Sequence, residues 1–196
     1  MDQSIKEAAS NLAGDYGLTA AHVLAVIAVE SSGKPFERAD PTLPTLLFER
    51  HKFYANLSAE KRNAAVKAGL AVPKWDKAHQ YKDEGTSAGR VTVFRRAVDF
   101  GGAEVASLSC SWGLMQIMGS NHAACGFKNA TEMVCAFTTV EGQLRGALEF
   151  IKHTRLLSKL QHKDWAGFAR GYNGAGFKAN RYDTKLADAY ANYGGK

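Results

Sequence analysis

Apolar residues recur at helical spacing along most of the chain. Ala20–Glu30 is almost wholly apolar, with Val23, Val26 and Ile27 on one face and Thr19 placed before it as an N-cap. Ser31-Ser32-Gly33, with Pro35 behind, predicts the stop. Ser58 predicts a short helix over Ser58–Lys61, and Thr86 or Ser87 opens another running to about Phe100. Trp112, Leu114, Met115, Ile117 and Met118 crowd residues 109–120, which predicts a buried helix there. The clearest stripe, Leu144, Leu148, Ile151, Leu156, Leu157 and Leu160, predicts one helix from Thr139 to Leu160. A short helix over 164–170, a sharp break at Gly171–Gly176 and a last helix from about Asn180 to Tyr190 follow. Pro41 and Pro44 interrupt the region before Thr45-Leu46-Leu47-Phe48, which reads as a short strand or a helical turn. The fold class is therefore mainly α, with a small or irregular β segment near residues 35–55.

Composition narrows the class without naming a function. The chain has 196 residues, 45% of them hydrophobic and 22% charged, which suits one domain and excludes bulk disorder. No apolar run approaches the roughly 20 residues that span a bilayer, and Met1–Tyr16 lacks the apolar stretch of a secretory signal. Cys110, Cys125 and Cys135 form no CxxC pair, so they read as buried thiols rather than as a disulfide framework or zinc site. The six histidines are scattered without HxxxH or HExxH spacing, so no catalytic metal or other cofactor is expected.

The net charge of +6 is uneven: residues 1–50 carry −3, 51–100 carry +5, 101–150 carry −2 and 151–196 carry +6. Basic blocks alternating with acidic ones imply a positive face, fit for nucleic acid, anionic lipid or bacterial cell wall. The lysines and arginines at 152, 155, 159, 163, 170, 178, 181 and 185 form either a plain solvated face or an attractive one.

Three segments carry candidate chemistry. Glu30 ends the apolar helix, where burial and the negative end of the helix dipole both disfavour ionisation, as a general acid requires. Ser111-Trp112-Gly113-Leu114-Met115-Gln116 places the amide of Gln116 among large apolar side chains, so it braces a carboxylate or binds a ligand, unless it lies on the outer face of the helix. Tyr172-Asn173-Gly174-Ala175-Gly176 permits close backbone approach but lacks the spacing of a phosphate loop.

Taken in order, Glu-Ser-Ser-Gly, Ser-Trp-Gly-Leu-Met-Gln-Ile and Gly-Tyr-Asn-Gly-Ala-Gly resemble the lysozyme-like superfamily of goose-type lysozymes and lytic transglycosylases. Leu47-Phe48-Glu49-Arg50-His51, residues 111–121 and Ala169–Gly174 bring the chain closer still to the N-acetylmuramidase family of bacteriophage endolysins, over roughly residues 20–192. The resemblance implies a lysozyme-like catalytic fold; such endolysins often carry a separate wall-binding module, but 196 residues without a linker leave no room for one, so 1–196 is expected to be a single catalytic domain. It implies a peptidoglycan hydrolase in which Glu30 is the acid.

Glycoside cleavage also needs something to meet the oxocarbenium-like centre. This is a carboxylate nucleophile, a carboxylate that activates water, or the substrate's own 6-hydroxyl, as in a lytic transglycosylase. Glu49 is the leading second carboxylate, although Arg50 and His51 beside it suit a structural ion pair equally; Asp40, beside Pro41, is the reserve. Tyr172 is expected near the sugar or Glu30, Gln116 and Asn173 on sugar hydroxyl or acetamido groups, and Ser111 bracing Glu30. Trp112 reads as core rather than sugar platform. The expected partners are glycan strands and, through the basic C-terminal region, an anionic outer membrane surface, with no nucleic acid and a monomeric state. Without a signal sequence, an endolysin would be made in the host cytoplasm and released by another factor. The competing readings are a lytic transglycosylase and a non-catalytic basic binding domain for wall or nucleic acid.

Overall fold

The computed structural model describes residues 1–196. Its elements run α1 (Gln3–Ala13), α2 (Ala20–Glu30), β1 (Leu46–Phe48), α3 (Arg50–Asn56), α4 (Ala59–Lys67), α5 (Ser87–Gly101), α6 (Ala103–Leu108), β2 (Cys110–Trp112), β3 (Ile117–Met118), α7 (Ala130–Ala136), α8 (Val140–His153), α9 (Leu157–Gln161), α10 (Trp165–Asn173) and α11 (Tyr182–Asn192). The strands form one antiparallel sheet in the order β1-β2-β3. This is a mainly α, lysozyme-like fold, and no helix is long and apolar enough to cross a membrane.

Helix starts follow side-chain caps, which give orphan first-turn N–H groups an acceptor. Asp2, Thr86, Asn129, Thr139 and Asp164 each accept from a first-turn amide. At Thr19 the His22 ring helps, its Nδ1 accepting from the Thr19 N–H at 3.1 Å. Helix α2 is apolar all round because α1 and α11 pack along it. Val23, Val26 and Ile27 join a connected apolar core of 39 residues that also takes in Phe48, Phe53, Trp112, Leu144 and Phe168. Trp112 is fully buried, packed edge-on against Phe94 and donating its indole N–H to Ser107 O at 3.0 Å.

The sheet corrects the reading of residues 109–120 as a helix. Two hairpin strands stand there, joined through a turn in which Gly113 (φ +71) and Gln116 (φ +50) take left-handed backbone conformations. The apolar crowding was a burial signal, and both helices and strands can satisfy it. A Cβ on Gly113 would lie 2.8 Å from Gln143 Oε1, so the turn needs glycine both for its φ and for this close approach. Gln143, buried on α8, fastens the turn by accepting from Leu114 N and donating to the carbonyls of Pro35 and Phe137.

Other boundaries shift for local reasons. The stripe over 139–160 is two helices, because Arg155 adopts φ +62 after His153; α9 then returns Leu160 to the same core. Helix α10 runs on through Gly171 to Asn173 and stops at Gly174 (φ +84). Gly171 is small there because a Cβ would meet Leu156 Cδ2 at 2.3 Å, so it marks packing, not a break. Helix α4 continues to Lys67, well past the expected single turn. Cys110 and Cys125 are buried as read, but Cys135 is exposed.

Strand β1 is flanked by one buried ion pair, Arg50–Glu84, and one partly buried pair, Arg90–Glu37. Its residues alternate, with Leu46, Phe48 and Arg50 buried and Thr45, Leu47 and Glu49 partly exposed, the period of two that a strand imposes. The outward N–H groups of Leu46 and Phe48 find no further strand. They donate to carboxylates instead, Leu46 N to Glu37 Oε1 at 3.1 Å and Phe48 N to Glu84 Oε2 at 2.8 Å. Arg90 holds Glu37 in a two-pronged pair at 2.7 and 2.8 Å, and Arg50 holds Glu84. An open sheet edge is thereby closed without another strand.

Candidate active site

Glu30 lies in the last turn of α2. Asn173, in the last turn of α10, donates from Nδ2 to Glu30 Oε1 at 2.7 Å. Burial pushes the Glu30 carboxyl up to about 7, and the Asn173 bond opposes part of that shift. Asn173 Oδ1 is buried beside this carboxyl with no partner, a free acceptor in a place where polar atoms are normally satisfied.

Tyr172 donates from its hydroxyl to Met115 O at 2.7 Å and not to Glu30, while its ring stacks on Phe168. Burial, helped by the Glu30 charge, keeps its phenol protonated well above the ordinary range. It therefore ties α10 to the turn after β2 and fixes the helix end that carries Asn173. Tyr182 at the start of α11 also feels the Glu30 charge and lies against the core.

Ser111 and Gln116 come together on the sheet. Ser111 Oγ donates to Gln116 Oε1 at 2.8 Å, and Gln116 Nε2 donates to Gly113 O at 2.9 Å and Thr45 O at 3.4 Å. Ser111 thus braces Gln116 instead of Glu30, and the amide of Gln116 is bonded within the hairpin. In the β1–β2 register Ser111 stands opposite Leu47, two residues before Glu49, which shares the partly exposed face of β1.

Glu49 caps the approach to α3 in its own network. Tyr81 O–H donates to Glu49 Oε1 at 2.8 Å, Gln80 Nε2 donates to Oε2, and His51 Nδ1 stands 3.4 Å from Oε2. Its neighbour Arg50 pairs with Glu84 instead, so no Glu49–Arg50 ion pair forms. Gln80 and Tyr81 went unread in the sequence, since nothing local marks a loop residue as a carboxylate's donor thirty positions away. Asp40 is a turn residue, accepting from Thr42 N and Oγ1 and pairing with exposed Arg95.

Asn173 Nδ2 donates its hydrogen bond directly to the Glu30 carboxyl. The bond favours the ionised form, so Asn173→Ala should raise the Glu30 pKa above about 7. The alkaline limb of the pH–rate profile is then expected to move to higher pH, by up to about one unit. A limb that stays in place, or moves down, would show that Asn173 does not govern this carboxyl.

The chain aligns with known proteins over nearly its whole length. The crystal structure of the Burkholderia AP3 phage endolysin superposes with a TM-score of 0.78 at 30% identity, covering 99% of this chain and 73% of that one. Among curated proteins, none matches. The sequence pattern of the N-acetylmuramidase family matches residues 19–194, a span that holds Glu30, the sheet, Glu49 and Asn173, and the chain belongs to that family.

Proposed function

We propose that the chain hydrolyses the β-1,4 bond between N-acetylmuramic acid and N-acetylglucosamine in peptidoglycan, acting as a monomeric, single-domain endolysin in host lysis. Membership of the N-acetylmuramidase family supports a peptidoglycan-cleaving glycosidase. The observation that carries the mechanism is the Glu30 carboxyl, pushed up to about 7 by burial and oriented by Asn173. A carboxyl with that pKa still holds its proton near neutrality and can deliver it to the leaving oxygen, as a general acid does. Oε2 carries the proton, since Oε1 already accepts from Asn173.

Glu49 is the group assigned to the attacking water. Its two donors fix the carboxylate in place, and its remaining lone pairs can accept from a water molecule. Asn173 Oδ1 is matched to an acetamido N–H or a sugar hydroxyl. Tyr172, Ser111 and Gln116 act on substrate through the surfaces they hold in place. The exposed cations of the last helices would draw the protein towards anionic envelope polymers and membrane surfaces.

Mass spectrometry of digested peptidoglycan, before and after borohydride, tests the reaction. Reducible N-acetylmuramic acid ends are expected. Anhydro ends, lighter by one water and not reducible, would make the enzyme a transglycosylase in which Glu30 works alone. In the same assay Glu49→Gln should slow release about a hundredfold with the unfolding midpoint unchanged; an undiminished rate would remove Glu49 from the mechanism.

A further inference from the structure

On the far side of the loop that holds Glu49 lies a groove of about 550 Å³. The loop from Asp76 to Glu84 is a shared wall. Gln80 and Tyr81 reach from it to Glu49, while Asp76, His79 and Lys82 line the groove. Lys74 and Lys82 stand exposed along it, Asp76 is its only acidic residue, and the buried guanidinium of Arg50 forms part of its lining. Arg50 donates from Nε to Gly69 O, from Nη1 to Gln80 O and Glu84, and from Nη2 to Lys82 O. A guanidinium has five N–H groups, so one remains without a protein acceptor.

The groove is apolar as well as cationic. Val66, Trp75 and Tyr81 are the exposed large hydrophobic residues of the protein, at 38%, 56% and 38% exposure. Val66 lines the groove together with Ala71, Val72 and Pro73, whereas Trp75 only adjoins the lining residues Lys74 and Asp76 in sequence and Tyr81 turns its hydroxyl to Glu49. An apolar lining set with cations at a concave site marks a binding surface.

Resting on the muramidase reading above, the geometry points to this groove as the seat of the acidic stem peptide carried by N-acetylmuramic acid. The stem peptide leaves the lactyl group of the muramic residue beside the cleaved bond. It combines methyl side chains with free carboxylates, the chemistry that an apolar wall set with Lys74, Lys82 and Arg50 complements. Four residues of extended chain reach roughly 13–14 Å, and the loop from Asp76 to Glu84 carries both the donors to Glu49 and part of the groove's lining.

The test compares two substrates: soluble, uncrosslinked glycan strands bearing stem peptides, and the same strands stripped of them by an amidase. The enzymes are the wild-type chain and the charge-reversed double variant Lys74→Glu/Lys82→Glu. Both lysines are exposed, so the variant should fold normally, which circular dichroism verifies. The variant is expected to lose about tenfold in kcat/KM on peptide-bearing strands, carried by KM, and less than about twofold on stripped strands. Equal losses on both substrates would assign the groove to the sugar chain and overturn the peptide assignment. An unchanged KM on peptide-bearing strands would overturn it too. Wild-type failure to release reducing ends from either substrate would instead remove the muramidase reading, and this inference with it.

Discussion

Glu30→Gln is expected to lower wall lysis by roughly a thousandfold or more while leaving the fold intact. Gln keeps the size of the side chain and still accepts the Asn173 Nδ2 bond through its carbonyl, but it has no proton to give. General-acid catalysis contributes about 10²–10⁴-fold, which sets the scale of the loss. The stability change should have the opposite sign. The native state binds the Glu30 proton more tightly than the unfolded chain, because burial raises the carboxyl from 4.5 to about 7. Its contribution to stability is therefore complete below about pH 4.5 and is lost as pH rises through about 7. Above that pH the wild type carries a buried charge that Gln does not, so the variant should be the more stable protein, on the order of 2 kcal/mol. Urea unfolding at pH 5 and pH 8, run beside turbidity assays of wall lysis, measures both effects. Normal lysis by this variant would dismiss Glu30 as the acid; a loss of activity with a lowered midpoint at pH 8 would mean that the side chain is structural.

The largest stability effect is expected at Arg50. Its guanidinium is buried against Glu84, with side-chain exposures of 3% and 0%, and it clamps the carbonyls of Gly69, Gln80 and Lys82. Arg50→Met fills most of the space but strands Glu84 without its cation, at a cost of about 3–5 kcal/mol. That is a large share of the roughly 5–15 kcal/mol that holds a domain together. Glu84 is already raised to about 7 by burial, with Arg50 and the Phe48 N–H pulling the other way. Losing Arg50 raises it further, so the proton-bound native form is favoured at low pH and the deficit grows as pH rises past about 7. The variant should therefore be nearer wild type at pH 5 than at pH 8. The double variant Arg50→Met/Glu84→Leu should recover much of the loss, since no charge is left unpaired. Because the same guanidinium anchors the loop bearing Gln80 and Tyr81, Arg50→Met should also loosen the hold on Glu49, seen as lowered activity even where the protein remains folded. A deficit independent of pH would show that the carbonyl clamps, and not the ion pair, are what Arg50 contributes.

Much of the helical frame was legible because periodicity and caps are local. Thr19, Thr86, Thr139 and Asp164 stand before helices whose first-turn amides need an acceptor, and the burial of one face leaves its mark every three or four residues. Short helices without such a stripe, α3, α6 and α7, escaped, as did α1. The hairpin at 110–118 was misread for the same reason that α2 was read well. Both are crowded with apolar residues, and only the pairing of β1 with β2, between residues more than sixty positions apart, distinguishes strand from helix. Gly171 misled in the other direction, since its small size answers to Leu156 and not to a turn.

The sequence by itself determined the mainly α class, the apolar helix that ends on Glu30, and the order of segments that identifies the family, because each is written in neighbouring residues. Tertiary structure alone decided who touches whom. It set Asn173, not Ser111, on Glu30, turned Gln116 towards Ser111 and Thr45, and gave Arg50 to Glu84 so that Glu49 was left to Gln80 and Tyr81. Hydrogen bonds and ion pairs act over about 3 Å, and chain separation carries no information about which polar groups will meet at that distance. Burial then does the rest: a carboxyl whose residue type and position were plain in the sequence has its pKa pushed up to about 7 only where the packed helices exclude water from it.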